Sequence, residues 1–192
     1  MRKVALLSAL LVLVAMPALA TPPDYMTLKL GAYSPQDKKI EDTSANISTG
    51  FNGEFALGHY FHPNVAVEFS IGYFGTRAND NGVSAEFSAI PVLLNIKGVI
   101  PIAKGEIYAL AGGGFYTVTC KASANGITVE DTDTPFGWQV GIGGNYNLSE
   151  TVFLGLEGKY LWVKPTFGIP GVTFGGVHLD GIQATANIGY RW

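Results

Sequence analysis

The chain has 192 residues, a formal net charge of −3, 25 glycines, 12 % aromatic residues, only 14 % charged ones and a single cysteine. That length suits one domain; the absence of a basic excess argues against a nucleic-acid partner, and Cys120 alone cannot form an internal disulfide, so it reads as a packing or loop residue. Beyond residue 20 no apolar run approaches the roughly 18 residues of a membrane helix, so a greasy, glycine-rich chain of this kind points to strands.

The N-terminus comes first. Arg2 and Lys3 precede an apolar run, Val4 to Met16, that is interrupted only by Ser8. Pro17 ends the run, and Ala18-Leu19-Ala20 offers small residues at the spacing signal peptidase reads. The run is too short to span a bilayer, which disfavours a retained anchor. The expected organisation is a cleaved signal peptide, residues 1–20, and one domain, residues 21–192, with ten basic and fifteen acidic side chains.

After the signal peptide the sequence alternates. Met26, Leu28 and Leu30 oppose Thr27, Lys29 and Gly31; Phe51, Phe55 and Leu57 oppose Asn52, Glu54 and Gly58. Val65, Val67, Phe69, Ile71 and Tyr73 oppose Ala66, Glu68, Ser70 and Gly72, and Ile90, Val92, Leu94 and Ile96 oppose a less polar row, Ala89, Pro91, Leu93 and Asn95. The stretch 107–119 is strand-like, but Gly112-Gly113-Gly114 leaves its faces ambiguous. Phe136, Trp138, Val140, Ile142, Tyr146 and Leu148 oppose glycines and amides; Leu154, Leu156, Tyr160 and Trp162 oppose Gly155, Glu157 and Lys159. Last, Ile182, Ala184, Ala186, Ile188, Tyr190 and Trp192 oppose Gln183, Thr185, Asn187, Gly189 and Arg191. Successive strand side chains point to opposite faces, so each segment has an apolar wall backed by a small or polar one. Aromatic residues at the ends of the apolar rows, with glycine and amide behind, fit lipid outside and a polar lumen inside. Eight strands are expected, near 25–33, 47–61, 65–75, 83–98, 107–119, 136–148, 152–164 and 177–192: an all-β, eight-stranded antiparallel up-and-down transmembrane β-barrel.

The connections orient it. His62-Pro63-Asn64, the stretch 101–106 and Ser149-Glu150 are short turns, whereas 34–46, 76–82, 120–135 and 165–176 are longer loops. Short periplasmic turns and longer outer loops put both termini in the periplasm of an outer-membrane protein. The fourth loop carries no charge between Lys164 and Val177 but holds Phe167, Ile169, Val172 and Phe174, with Pro170-Gly171 placed for a type II turn.

The stretch from Phe136 to Trp162, including GWQVGIGGNYNLSETVFLGLEGKYLW, resembles strands six and seven of small OmpA/OmpW-type barrels, and IPVLLNIKG with YALAGGGFYT resembles their strands four and five, OmpW in particular. IGYRW is similar to the C-terminal strand read by barrel-assembly machinery, with Tyr190 and Trp192 as its aromatic signal and Asn187 where the pattern often has glycine. OmpW-type resemblance implies passage of small, often hydrophobic, solutes; OmpA-type resemblance implies a mainly structural barrel, here without the separate peptidoglycan-binding domain.

Six charges share the lumen parity: Lys29, Glu54, Glu68, Glu157 and Lys159 within strands, and Arg191 at the periplasmic rim. Three positive and three negative charges cancel, and an eight-stranded barrel is narrow enough to be filled by side chains. The expectation is an ion-pair network that plugs the lumen and fixes register, with a solute or proton path, or a carboxylate acid–base pair, as sharper alternatives. His59 and His62 give no third ligand, so an interfacial role is preferred to zinc. His178 and Asp180, with Ser84 or Ser34, offer a triad of the kind a lipid-modifying enzyme needs, but these are common rim residues. The glycines of GIGGN and GGGF lie within strands and make room in the lumen rather than cradle phosphate. No cofactor or metal is expected. The function classes are passage or binding of small solutes, hydrophobic ones among them; a structural or surface-interaction barrel; and, least favoured, a lipid-modifying enzyme. The expected partners are outer-membrane lipid, lipopolysaccharide and the barrel-assembly machinery.

Overall fold

The computed structural model describes residues 24–36, 46–80, 83–124, 127–166, 168–169, 172–173 and 179–192. The expected signal peptide, with its cleavage site, lies outside them. Among the described residues no helix is long and apolar enough to cross a membrane.

Eight antiparallel strands close a ring: β1 (Asp24–Pro35), β2 (Gly50–His62), β3 (Val65–Asp80), β4 (Val83–Ile102), β5 (Gly105–Ala124), β6 (Phe136–Asn147), β7 (Val152–Trp162) and β8 (Gly181–Arg191). Each pairs with the next, and β8 returns to β1 from Tyr25↔Arg191 to Pro35↔Gly181. The Trp192 N–H donates to the Asp24 carbonyl at 3.1 Å and finishes that seam. Consecutive antiparallel pairing needs only short connections, and closure leaves no unpaired edge around the wall.

The eight strands fall where the alternation puts them, and their ends differ in instructive ways. The turn expected over 101–106 shrinks to Ala103-Lys104, because β4 runs on to Ile102 and β5 starts at Gly105. The 120–135 stretch, expected as a loop, is largely strand: Ile127–Asp133 folds back on β5 from Val118↔Asp133 to Ala124↔Ile127. From Val129 to Asp133 its side chains are exposed or half-buried on both faces, so no alternation marks it. With β3 and β4, which pair as far as Asp80↔Val83, it forms an arm rising above the ring. The short strand Asn46–Ile47 adds to the same arm against Ala78 and Asn79. Gly168–Ile169 pairs with Val172–Thr173 on either side of the expected turn; Phe167, Pro170, Gly171 and Phe174 lie outside the described residues.

The outer wall is apolar and exposed: Ile142 is 71 % and Leu156 70 % open, values that only a lipid environment makes stable for so continuous a surface. Aromatic residues ring both margins. Phe136, Trp138 and Trp162 lie near the loop end, Tyr146, Tyr190 and Trp192 near the turn end. The faces of β5 are now resolved: Tyr108, Leu110, Tyr116 and Val118 point inward, Ile107 and Phe115 outward.

Inside, glycines are seats for large neighbours. A Cβ at Gly58 would lie 2.0 Å from the Tyr25 ring, one at Gly143 2.5 Å from Tyr108, and one at Gly189 2.0 Å from Phe153. Each aromatic faces its glycine directly across the ladder. The ring therefore lies flat over the neighbouring strand and fills the narrow bore, which no Cβ on that strand would allow.

Candidate functional site

The middle of the bore holds a closed ion cluster. Lys29 on β1, Glu54 on β2, Glu68 on β3, Lys97 on β4, and Glu157 and Lys159 on β7 all point inward, and none is more than 4 % exposed. Lys29 Nζ sits at the centre, 2.9 Å from Glu54, 2.8 Å from Glu68 and 2.9 Å from Glu157. Lys97 is 2.5 Å from Glu68 and 3.9 Å from Glu157; Lys159 is 2.5 Å from Glu54 and 3.4 Å from Glu157. Each carboxylate thus faces at least two ammonium groups. The Tyr25 hydroxyl donates to Glu68 at 2.9 Å and the Tyr108 hydroxyl to Glu157 at 2.8 Å. Lys97 also lies over the Tyr108 ring, 4.4 Å from its centroid. Three lysines balance three glutamates, which is the condition for burying such charges in a low-dielectric interior.

Toward the turn end a second group closes the bore. Glu106 accepts from the Tyr60 hydroxyl at 2.7 Å and from Asn145 Nδ2 at 2.7 Å, and pairs with Arg191 at 2.9 Å. Arg191 also donates to Asn147 at 2.9 Å and stacks 4.6 Å from the Phe153 ring centroid.

Toward the loop end the bore changes character. Tyr33, Phe74, Phe87, Leu93, Tyr116, Val118, Leu161, Val163 and Leu179 form one buried apolar cluster above the ions. Between the two lies a polar floor, where Gln139 Nε2 donates to Asn95 Oδ1 at 2.7 Å across the bare backbone of Gly112. The loop-end part of the bore, the chamber, is therefore lined and filled by apolar side chains and stands on an ionic plug.

One place in the wall beside this chamber is weakened. Pro91 points inward on β4, level with Leu93 and Ala89, and has no N–H to give to a ladder. On the β5 side the register runs unbroken through Pro91↔Tyr116, but on the β3 side it stops at Ile71↔Val92 and resumes only at Phe74↔Ala89. Gly72 lies against the proline ring across this break. Proline in a paired strand is otherwise confined to edges and bulges.

Of the residues singled out in the sequence, the structure brings Lys29, Glu54, Glu68, Glu157 and Lys159 together, and sets Arg191 apart with Glu106. Lys97 and Glu106 were missed. Lys97 continues the inward parity of Leu93 and Asn95 and was legible as such; Glu106 was hidden in what looked like a turn. Tyr190 and Trp192 face outward. His59 Nδ1 lies 2.5 Å from Asp24, and His62 Nδ1 accepts from the Asn64 N–H at 3.2 Å, so the two histidines serve separate contacts. Among the described residues no group of three metal-ligating side chains forms. His178 lies outside the described residues, and the Asp180 carboxylate accepts the Val163 N–H at 2.9 Å. Cys120 is half-buried against the apolar cluster.

A family model described as the outer membrane protein beta-barrel domain matches residues 6–191. No curated protein matches significantly. Among solved structures the chain is similar to the outer membrane protein OprG of Pseudomonas aeruginosa (15 % identity, 88 % of this chain and 95 % of that one, TM-score 0.58). It is also similar to outer membrane protein W of Escherichia coli (14 % identity, 91 % and 100 %, TM-score 0.52) and to Neisserial surface protein A (11 % identity, 88 % and 96 %, TM-score 0.55). At these identities the likeness is one of fold.

Proposed function

The chain belongs to the outer membrane protein β-barrel family and lies in the outer membrane of Gram-negative cells, and from that premise we propose that it passes small hydrophobic solutes from the outside into the membrane through the side of its wall. The observation that carries this is the Pro91 break beside the apolar chamber. A solute entering at the loop end meets apolar side chains, then a floor of balanced charges that offers no water path. The missing ladder at Gly72 and Tyr73, opposite Ile90 and Pro91, is the exit with the fewest hydrogen bonds to break. Tyr73 and Ile90 face lipid there, so a released solute enters hydrocarbon. The turn end, with both termini, faces the periplasm in this reading, and Tyr190 and Trp192 serve barrel assembly. Of the fourth-loop residues proposed as an apolar entrance, Phe167 and Phe174 lie outside the described residues, and of Ile169 and Val172 only the backbone is described.

The test uses vesicles with a lipopolysaccharide outer leaflet, which by itself slows hydrophobic compounds. Uptake of N-phenylnaphthylamine should be faster with the protein than without it, and uptake of glucose should not. Pro91→Val, which restores a donor to the ladder, should slow the dye toward the protein-free rate while leaving the barrel as stable or more so. Equal dye uptake with and without protein would remove the passage reading in favour of a structural barrel; glucose uptake would mean an open pore.

A further inference from the structure

We propose that the chamber selects apolar molecules carrying one uncharged oxygen head group, such as short-chain alcohols or ketones, and that the polar floor is the head-group site. This rests on the passage reading above and adds the chemistry of the solute. Five polar atoms at that floor have no hydrogen-bond partner among the described residues: Asn52 Nδ2, Ser70 Oγ, Asn95 Nδ2, Tyr116 OH and Gln139 Oε1. None of these residues is more than 2 % exposed. Buried polar groups are nearly always paired, and each one left alone costs more than a hydrogen bond gains.

Their placement defines a site rather than a scatter. Asn95 and Gln139 are joined by their one hydrogen bond, which leaves a donor on the first and an acceptor on the second, side by side. Either orientation of the two amides leaves one free donor and one free acceptor there. Ser70 sits opposite Leu93 and diagonal to Asn95 across the β3–β4 ladder, and Asn52 sits opposite Phe74. Tyr116 faces Pro91 across the β4–β5 ladder. The floor thus lies at the foot of the apolar cluster and next to the wall break.

The chemistry of the group follows. A hydroxyl both donates and accepts, and so satisfies Gln139 Oε1 and Asn95 Nδ2 together; a ketone satisfies the donors alone. An ionic head group finds no free counter-charge, because each glutamate below already faces at least two lysines and the cluster is neutral. A plain hydrocarbon leaves the floor unsatisfied. The chain of the solute then packs on Leu93, Phe74 and Leu161.

The experiment is side-chain amide NMR of the 15N-labelled protein in lipid nanodiscs, titrated with hexane, 1-hexanol and 2-hexanone. Hexanol and hexanone should shift the side-chain amide signals of Asn52, Asn95 and Gln139 saturably, leaving those of the turn-end Asn64 and Asn147 unmoved. Hexane should move only signals of the apolar cluster. Asn95→Leu, or Gln139→Leu if the first folds poorly, should weaken hexanol binding about tenfold, the effect of one or two neutral hydrogen bonds, and leave hexane unaffected. Entry of all three compounds with equal affinity and no amide shift would overturn the head-group site while leaving passage intact. Amide signals that exchange with water and ignore all three would show a hydration layer only and overturn it as well. Failure of any compound to reach the apolar cluster would overturn both readings.

Discussion

Removing Lys29 is the sharpest probe of the ionic plug. Lys29→Met keeps the length of the chain but takes away the ammonium that touches Glu54, Glu68 and Glu157 within 3 Å. Three carboxylates then face only Lys97 and Lys159, so one negative charge is left over in a water-poor bore. The barrel can keep it, or one glutamate can take up a proton. At pH 7 the second route costs about 1.4 kcal/mol for each of the roughly 2.7 pH units above the ordinary glutamate value, about 3.8 kcal/mol. That agrees with the roughly 3–5 kcal/mol typical of breaking a buried pair from one side. The cost should therefore shrink as pH falls, by about 1.4 kcal/mol per unit down to about pH 4.3. Adding Glu157→Gln restores neutrality and leaves two intact pairs, Lys97–Glu68 and Lys159–Glu54, both at 2.5 Å. The double variant should recover at least half of the loss. Reversible urea unfolding in lipid vesicles between pH 5 and 8 measures all three proteins. A single-variant cost below about 1 kcal/mol, a cost that does not depend on pH, or a double variant no better than the single would refute a charge-balanced plug.

Three further outcomes are expected. Ile142→Arg, on the lipid side of β6, should cost about 2–4 kcal/mol in the same unfolding assay, against little for Ile142→Val; a negligible cost would put that face elsewhere. Gly189→Ala drives a methyl into the Phe153 ring at 2.0 Å, whereas Gly98→Ala meets nothing within 4 Å. The first should destabilise by about 1–3 kcal/mol and the second by less than about 0.5 kcal/mol, and a reversed order would contradict the seating of aromatics on glycines. Burial, and then the nearby Asp131 carboxylate, push the Cys120 thiol above its ordinary value on the arm outside the apolar belt. Its maleimide labelling at pH 7 should be slower than that of a free thiol and should rise with pH beyond the point where a free thiol levels off; labelling at the free-thiol rate would count against that environment.

The alternation of Met26, Leu28 and Leu30, of Val65 through Tyr73, and of Phe136 through Leu148 made the wall legible, since a lipid-facing strand must repeat every second residue. The inward charges were legible for the same reason. What escaped depends on partners rather than on period. The faces of β5 are set by Tyr108 lying over Gly143, which a run of three glycines cannot announce. The Ile127–Asp133 strand has Asp131 and Asp133 on one parity behind Ile127 and Val129, and Thr128, Glu130 and Thr132 on the other, so pairing with β5 alone defines it. The break at Pro91 shows only in the register against the opposite strand, and the polar floor comes from five strands meeting across the bore. A single proline inside an alternating run was the one available sign of the break.

The closing seam between β1 and β8 gives the ion cluster a second meaning, one of timing. Lys29 sits on the first strand and two of its partner strands are β2 and β3, but Glu157 arrives only with β7, and the ring shuts only when Arg191 reaches Tyr25. Before that moment the cluster is incomplete, and its charges belong in water. Each strand that bears one of these charges therefore carries a cost for entering hydrocarbon alone, which pairing in the finished barrel offsets. The cluster thus favours insertion as a closed ring, with the last strand joined to the first, over insertion strand by strand.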